Sequence, residues 1–301
     1  MTSPRHVVPG TTYLVTRRCA QRWFFLRPSD ETNAIFSYAL AVAAERTGVE
    51  VHAAVQMSNH WHGVVTDPRG ELPRFFHTMH LLIANAMNAV LGRSENFWSS
   101  YETSAVSLET ADDVLDKMAY VIANPIQAGL VEEPHQWPGI ITTTMGRVIE
   151  APRPEVYFRQ GGCVLPAAAK LVCTMPLALR GRREGEAERD LQARVRARVA
   201  AAKRSVAERG ETFLGVEGVL EMSPWAQPAT REPHGGRRPT VAAKDSTLRA
   251  RMIRKLTSFR QAYRDALERW RSADRGVTFP FGTYWMCRFH RARCATPLPA
   301  G

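Results

Sequence analysis

The chain has 301 residues, 45% hydrophobic and 23% charged, a globular composition with material for one large domain or two modest ones. No run of about 18 apolar residues occurs, so no transmembrane helix is expected, and the first ten residues lack the apolar core of a signal peptide. Five scattered cysteines, at 19, 163, 173, 287 and 294, fit free thiols in a reducing cytoplasm.

The net charge of +11 is unevenly spread. Residues 1–150 hold 11 Lys and Arg against 15 Asp and Glu, a net of −4, whereas residues 151–301 hold 29 against 14, a net of +15. Such a split predicts an anion-binding half joined to a different kind of half, with nucleic acid as the first candidate partner.

In chain order, residues 12–18 (TYLVTRR) read as a strand. Residues 29–46 read as a helix, capped by Ser29 or Asp30, with Ile35, Ala39, Leu40 and Ala43 as its apolar stripe and Gly48 closing it. Val49, Val51, Ala53, Val55 and Met57 alternate as a half-buried strand; after a tight turn at Ser58-Asn59 the chain returns over 60–66 as a second strand. A helix over 72–91, a strand over 97–106 and a helix over 110–124, ended by Pro125, follow. This order predicts an α+β layer, an antiparallel sheet with helices on one face.

Beyond about 145 the texture changes. Residues 176–209 and 244–274 read as basic helices, separated by a Pro- and Gly-rich stretch over 223–240. The expected division is a catalytic domain over 1–148, a linker over 149–180 and a basic, mainly helical DNA-binding region over 181–301. The catalytic part is expected to fold without the rest.

His60-Trp61-His62 sits on a strand, where alternation sends both imidazoles to one face and Trp61 to the other, into the helix-covered core. On the helix over 110–124, Val114, Leu115, Met118, Val121 and Ile122 fall within an arc of roughly 120°. Tyr120 and Asn124 fall on the opposite side with Asp113, Asp116 and Lys117. A tyrosine on the polar face is anomalous, and the i, i+4 spacing puts the Asn124 amide one turn beyond its ring. Two imidazoles and an amide oxygen can hold a divalent ion at three positions, leaving the remainder open to a phosphate oxygen, with a phenol beside it for attack on phosphorus.

The segment MSNHWH at 57–62, followed by an apolar strand, resembles the HUH motif of REP-associated tyrosine transposases and insertion-sequence-200-type transposases. YVIANPIQAGLV at 120–131 is similar to the tyrosine helix of the same group. FWSSYE at 97–102 looks like the strand before that helix, and HQWP at 135–138 like the usual close. The resemblance spans roughly residues 8–145. It implies a ferredoxin-like sheet and metal-dependent cleavage of single-stranded or hairpin DNA, giving a 5′-phosphotyrosine and a free 3′-hydroxyl. By that resemblance Tyr120 is the nucleophile, His60 and His62 are metal ligands, and Asn124 is a third ligand or a tyrosine-positioning residue. The implied cofactor is magnesium or manganese, and no P-loop motif for nucleotide hydrolysis is present.

Candidate DNA contacts are Arg17 or Arg18 in the first strand, Arg180, Arg182 and Arg183 ahead of the first basic helix, and Arg249, Arg251, Arg254 and Lys255 on the second. The chain is expected to be a cytoplasmic monomer or homodimer. An HUH replication nickase and a catalytically inactive DNA-binding regulator are the competing readings. Weaker signals are Cys287, His290 and Cys294 as zinc ligands, His77 and His80 as packing or surface residues, and Trp225, Phe279, Phe281, Tyr284 and Trp285 as base-stacking or core residues.

Overall fold

The computed structural model describes residues 4–158, 164–183, 185–230 and 240–296. Cys163 and half of the Pro- and Gly-rich stretch, residues 231–239, lie outside them. Strand β1 (Thr11–Arg18) leads through helix α1 (Asp30–Thr47) to the hairpin β2 (Glu50–Met57) and β3 (His60–Asp67), then through α2 (Leu72–Val90) to β4 (Ser104–Leu108). The strands lie in the order β2-β3-β1-β4, every neighbour antiparallel, which is the ferredoxin-like arrangement. A two-residue strand β7 (Val241–Ala242) from the basic half adds to the β4 edge in parallel.

Both faces of this sheet are covered. Tyr13, Val15, Trp61 and Val65 point into a core with Ile35, Phe36 and Leu40 of α1 and Phe75, Met79 and Ile83 of α2. These are the helices expected on one face. The opposite face carries Ala53, Val55, Met57 and Val64, which pack against Val114, Leu115, Met118 and Ile122 of helix α3 (Ala111–Gln127). Behind α3 lies α4 (Glu186–Glu208), whose Leu191, Val195, Val199 and Ala202 belong to the same apolar cluster.

Local chemistry sets the ends of these elements. Ser29, not Asp30, caps α1, its Oγ accepting from Thr32 N at 3.1 Å, and Gly48 closes it at φ 72°. Thr110 caps α3 by accepting from Asp113 N at 3.0 Å and donating to the Asp113 carboxylate at 2.7 Å. Pro125 does not end α3, which runs to Gln127. Its lost N–H bond and its clash with the carbonyl of Val121 fall near the end of the helix, where few residues follow. The strict alternation expected over 49–57 is broken by a bulge between Val51 and Ala53. Val49 and Val51 therefore face α1, whereas Ala53, Val55 and Met57 face α3.

The strand expected over 97–106 begins later, at Ser104. Phe97 and Trp98 both enter the core on the α2 side, whereas consecutive strand residues point to opposite faces, and Trp98 Nε1 donates to the His80 carbonyl at 2.9 Å. The described residues of the stretch read as a linker are folded. Strands β5 (Val148–Pro152) and β6 (Ala168–Val172) pair antiparallel and pack on the outer side of α1, with Tyr38 Oη donating to the Pro166 carbonyl at 2.6 Å. Helix α1 is apolar all round, so it needs that second cover.

The rest of the basic half comprises α5 (Gly215–Glu221), α6 (Ser246–Arg271), β8 (Thr278–Phe279), α7 (Trp285–His290) and β9 (Arg293–Cys294). Ala266, Val277, Phe279, Met286 and Ala292 form a small separate core there. Cys287 and Cys294 are joined as a disulfide across it, in place of the free thiols or zinc ligands expected; Cys19 and Cys173 are free and buried. Among the described residues no helix is long and apolar enough to cross a membrane.

Candidate active site

The β2–β3 hairpin places His60 opposite Met57, and the alternation of β3 then sorts its side chains. Trp61 enters the α2 side, fully buried, its Nε1 donating to His80 Nε2 at 3.2 Å. His80 is thus a buried packing residue and His77 an exposed one. Gly63 is required by that arrangement, because a Cβ there would lie 2.8 Å from the Trp61 ring. His60 and His62 face α3, their ring centroids 4.7 Å apart.

Helix α3 lies across this face with Tyr120 turned toward the sheet. Its ring centroid is 5.4 Å from that of His62, edge to face, and the ring is half-buried. Asn124, one turn further on and buried, lies close enough to the His60 side chain to draw its pKa upward, against the larger effect of burial. The four residues singled out in the sequence therefore converge. The side of α3 that reads as polar is one that meets the histidines.

Each imidazole is held by an oxygen. His62 Nδ1 lies 2.7 Å from Thr16 Oγ1 on β1, and His60 Nδ1 lies 2.6 Å from Asn59 Oδ1 in the hairpin turn. With those oxygens as acceptors, Nδ1 carries the proton and Nε2 keeps its lone pair. Burial, aided by the Arg18 and Arg22 cations, pushes the His60 pKa down to about 3. His62 lies well below the ordinary histidine value through burial, then through His60 and Arg18. Both rings are neutral at pH 7, the form that binds a metal. Among the described residues no group of three or more His, Cys, Asp and Glu could hold a metal ion. The Asn124 amide is the third donor that the sequence suggested, and two neutral imidazoles with one amide oxygen would suit a divalent cation.

Cations ring the site. Arg18 pairs in register with His60 across β1 and β3 and shares the histidine face; Arg17, opposite Trp61, points to the α2 side and donates to the Tyr101 carbonyl. Of the two, Arg18 is the one placed to meet a ligand at the histidines. Lys117 Nζ and Arg198 Cζ each lie 5.9 Å from the Tyr120 ring centroid. Arg198 comes from α4 and is anchored by Asp116 at 2.7 Å.

Thr16, Asn59 and Arg198 escaped the sequence reading. The first two act through cross-strand register and turn geometry, and nothing in the sequence tied Arg198 to Tyr120. The remaining candidate contacts are not brought to the site. Arg180 pairs with Glu50 at 3.0 Å, Arg182 pairs with Asp190 at 2.9 Å, and Arg183 is exposed nearby. Arg249 donates to the Ala243 carbonyl at 3.4 Å, and Arg251, Arg254 and Lys255 are exposed on α6.

Among solved structures the chain is similar to a REP-associated tyrosine transposase bound to a REP hairpin, with 17% identity over 46% of this chain and 81% of that one, at a TM-score of 0.39. It is also similar to a candidate transposase from Deinococcus radiodurans R1, with 19% identity over 36% of this chain and 87% of that one, at a TM-score of 0.28. No protein-family profile and no curated protein matches it.

Proposed function

We propose that the chain is a metal-dependent strand transferase that cleaves and rejoins single-stranded DNA at hairpin-forming sites through Tyr120. The observation that carries this reading is the convergence of His60, His62, Tyr120 and Asn124, with 5.4 Å between the His62 and Tyr120 rings and Asn124 one helical turn beyond Tyr120. In the step proposed, the Tyr120 hydroxyl oxygen attacks a phosphodiester phosphorus. The Tyr120 O–P bond forms, the P–O3′ bond breaks, the phenol proton is given up, and the departing 3′ oxygen takes one up. The product is a 5′-phosphotyrosine, and attack by another 3′-hydroxyl reverses the step, so no nucleotide is hydrolysed.

His60, His62 and Asn124 are the residues that would hold magnesium or manganese, which when bound supplies Lewis-acid polarisation of the phosphoryl oxygen. Arg18, Lys117 and Arg198 offset the phosphate charge around the tyrosine. Asn124 both reaches His60 and follows Tyr120 by one helical turn, so it ties the two halves of the site together.

Tyr120→Phe is expected to abolish covalent attachment to single-stranded hairpin DNA while leaving affinity within about threefold, because only the hydroxyl is removed. Denaturing gels of protein–DNA adducts, with manganese and with EDTA, make the measurement. Adduct formation by the phenylalanine variant at the unmutated rate overturns the assignment. Wild-type binding of hairpins with no adduct under any divalent metal leaves the chain a DNA-binding regulator.

A further inference from the structure

The small core of the basic half is covered on one side by α7, and that helix turns two large aromatic rings outward. Trp285 is 59% and Phe289 57% exposed, and their ring centroids lie 4.2 Å apart at 37°. The pair does not serve the core beneath, which Met286 enters from the same helix with Phe279 below it. The helix is held firmly. The Cys287–Cys294 disulfide ties it to β9, Ala292 N donates to the Met286 carbonyl at 3.1 Å, and Tyr284 Oη and Arg288 reach Glu71 at 3.4 and 3.7 Å.

The surroundings are cationic. No acidic residue follows Asp274 in the sequence, whereas Arg275, Arg288, Arg291 and Arg293 do. Alongside runs α6, where Arg251, Arg254 and Lys255 are exposed and, among the described residues, form no ion pair. Two adjacent exposed ring faces beside exposed cations suit a polyanion that also offers flat apolar faces, and an unpaired nucleotide strand meets both terms. A duplex meets only the first, because its base faces are stacked away.

We infer that Trp285 and Phe289 form a stacking platform for unpaired bases of single-stranded nucleic acid, a contact separate from the tyrosine site. The platform docks at Glu71, just beyond the Asp67 end of β3, and His60 lies at the other end, about 23 Å away along the strand. It therefore holds a strand at a distance from the scissile phosphate. This rests on the nucleic-acid reading of the chain but not on the chemistry of Tyr120.

The test is fluorescence anisotropy on the full chain with an oligothymidylate of about 12 nucleotides and a duplex of about 12 base pairs, within the usual single-strand site size. Trp285→Ala with Phe289→Ala is expected to weaken oligothymidylate binding at least about tenfold and to leave duplex binding within about twofold. Trp285→Phe with Phe289→Tyr, which keeps both rings, is expected to restore most of the loss. Unchanged oligothymidylate affinity, or an equal loss on both substrates, overturns the platform. So does a fall from dimer to monomer in sedimentation of the alanine variant, which marks the rings as an interface between copies. Tyr120→Phe leaves oligothymidylate binding intact in every case, so the platform and the tyrosine chemistry fail separately.

Discussion

Thr16 sits on β1 with its hydroxyl 2.7 Å from His62 Nδ1, and Asn59 sits in the hairpin turn with its amide oxygen 2.6 Å from His60 Nδ1. Neither would touch a bound ion, yet together they decide which nitrogen of each ring is offered. Thr16→Val, which keeps shape and removes the hydroxyl, is expected to weaken manganese binding about tenfold to a hundredfold. Electron paramagnetic resonance titration of free manganese reads this without any DNA; unchanged affinity would show that packing alone orients His62. A different histidine governs acid stability. His52 is buried, its Nδ1 at 2.8 Å from the Thr174 carbonyl and its Nε2 at 2.7 Å from Thr66 Oγ1. Burial holds its pKa down at about 4, against the smaller opposing pull of the Thr174 carbonyl and Glu50 and with a further push from Arg180. The unfolded chain takes up that proton near 6.5, so between pH 6.5 and 4 it binds more protons than the folded one. The stability from His52 is thus complete above about 6.5 and lost as pH falls toward 4, by up to about 3 kcal/mol. Denaturant midpoints of His52→Gln should vary less over that window than those of the wild type, and parallel curves would remove His52 from the account. His60, His62, Tyr120 and Asn124 were legible because two short motifs carry them. Thr16, Asn59 and His52 were not, since their partners are fixed by register and by the bulge.

Helix α3 is the element on which the site depends, and it is held from two sides. Its Tyr120 edge meets β3, and its Asp112 and Asp116 edge meets Arg194 and Arg198 of α4, with Lys203 reaching Glu133 just beyond α3 at 2.6 Å. Between the helices Leu191, Val195 and Val199 supply the apolar contact. Those exposed or half-exposed ion pairs add little each, roughly 0–1 kcal/mol, so the apolar seam carries most of the stability of the contact. Leu191→Ala, at a fully buried position, is expected to cost about 2–5 kcal/mol in denaturant unfolding. Arg198→Ala should instead leave stability within about 1 kcal/mol and slow adduct formation, with Arg198→Lys recovering part of the rate. A chain ending at residue 150 is expected to lose cooperative unfolding, because it lacks α4 and cuts the β5–β6 hairpin that covers α1; a sharp two-state transition from it would contradict this. The expectation that residues 1–148 suffice came from counting their core elements as complete, with no partner assigned to the acidic face of α3. Sequence alone gives that face no partner, since the partner lies about 80 residues later in the chain. The apolar arc and the Thr110 cap of α3, by contrast, were plain in the local pattern.

The charge imbalance between the halves, −4 against +15, was visible in composition, but its disposal was not. Part of it is internal. Arg180, Arg194, Lys203 and Lys244 are spent on Glu50, Asp112 and Glu133 of the acidic half. These cations offset the acidic residues that would otherwise repel a polyanion from the tyrosine site. They are therefore poor candidates for a clamp on DNA, and α6 is the better one. It is 26 residues long, about 39 Å, and of its side chains only Phe259 and Ala266 are buried. Arg251, Arg254 and Lys255 project from it into solvent. If each neutralises one phosphate, their joint replacement by glutamine should flatten the slope of log affinity against log salt by about 2.7 units on hairpin duplex. Replacing Arg194 and Arg182, whose charges are already paired, should change that slope by less than about one unit. A salt titration of hairpin binding by both variants decides the matter. Equal slopes for the α6 variant and the wild type would mean that the polyanion does not lie along α6, while the larger change in the Arg182 and Arg194 variant would return the clamp to α4 and the turn before it.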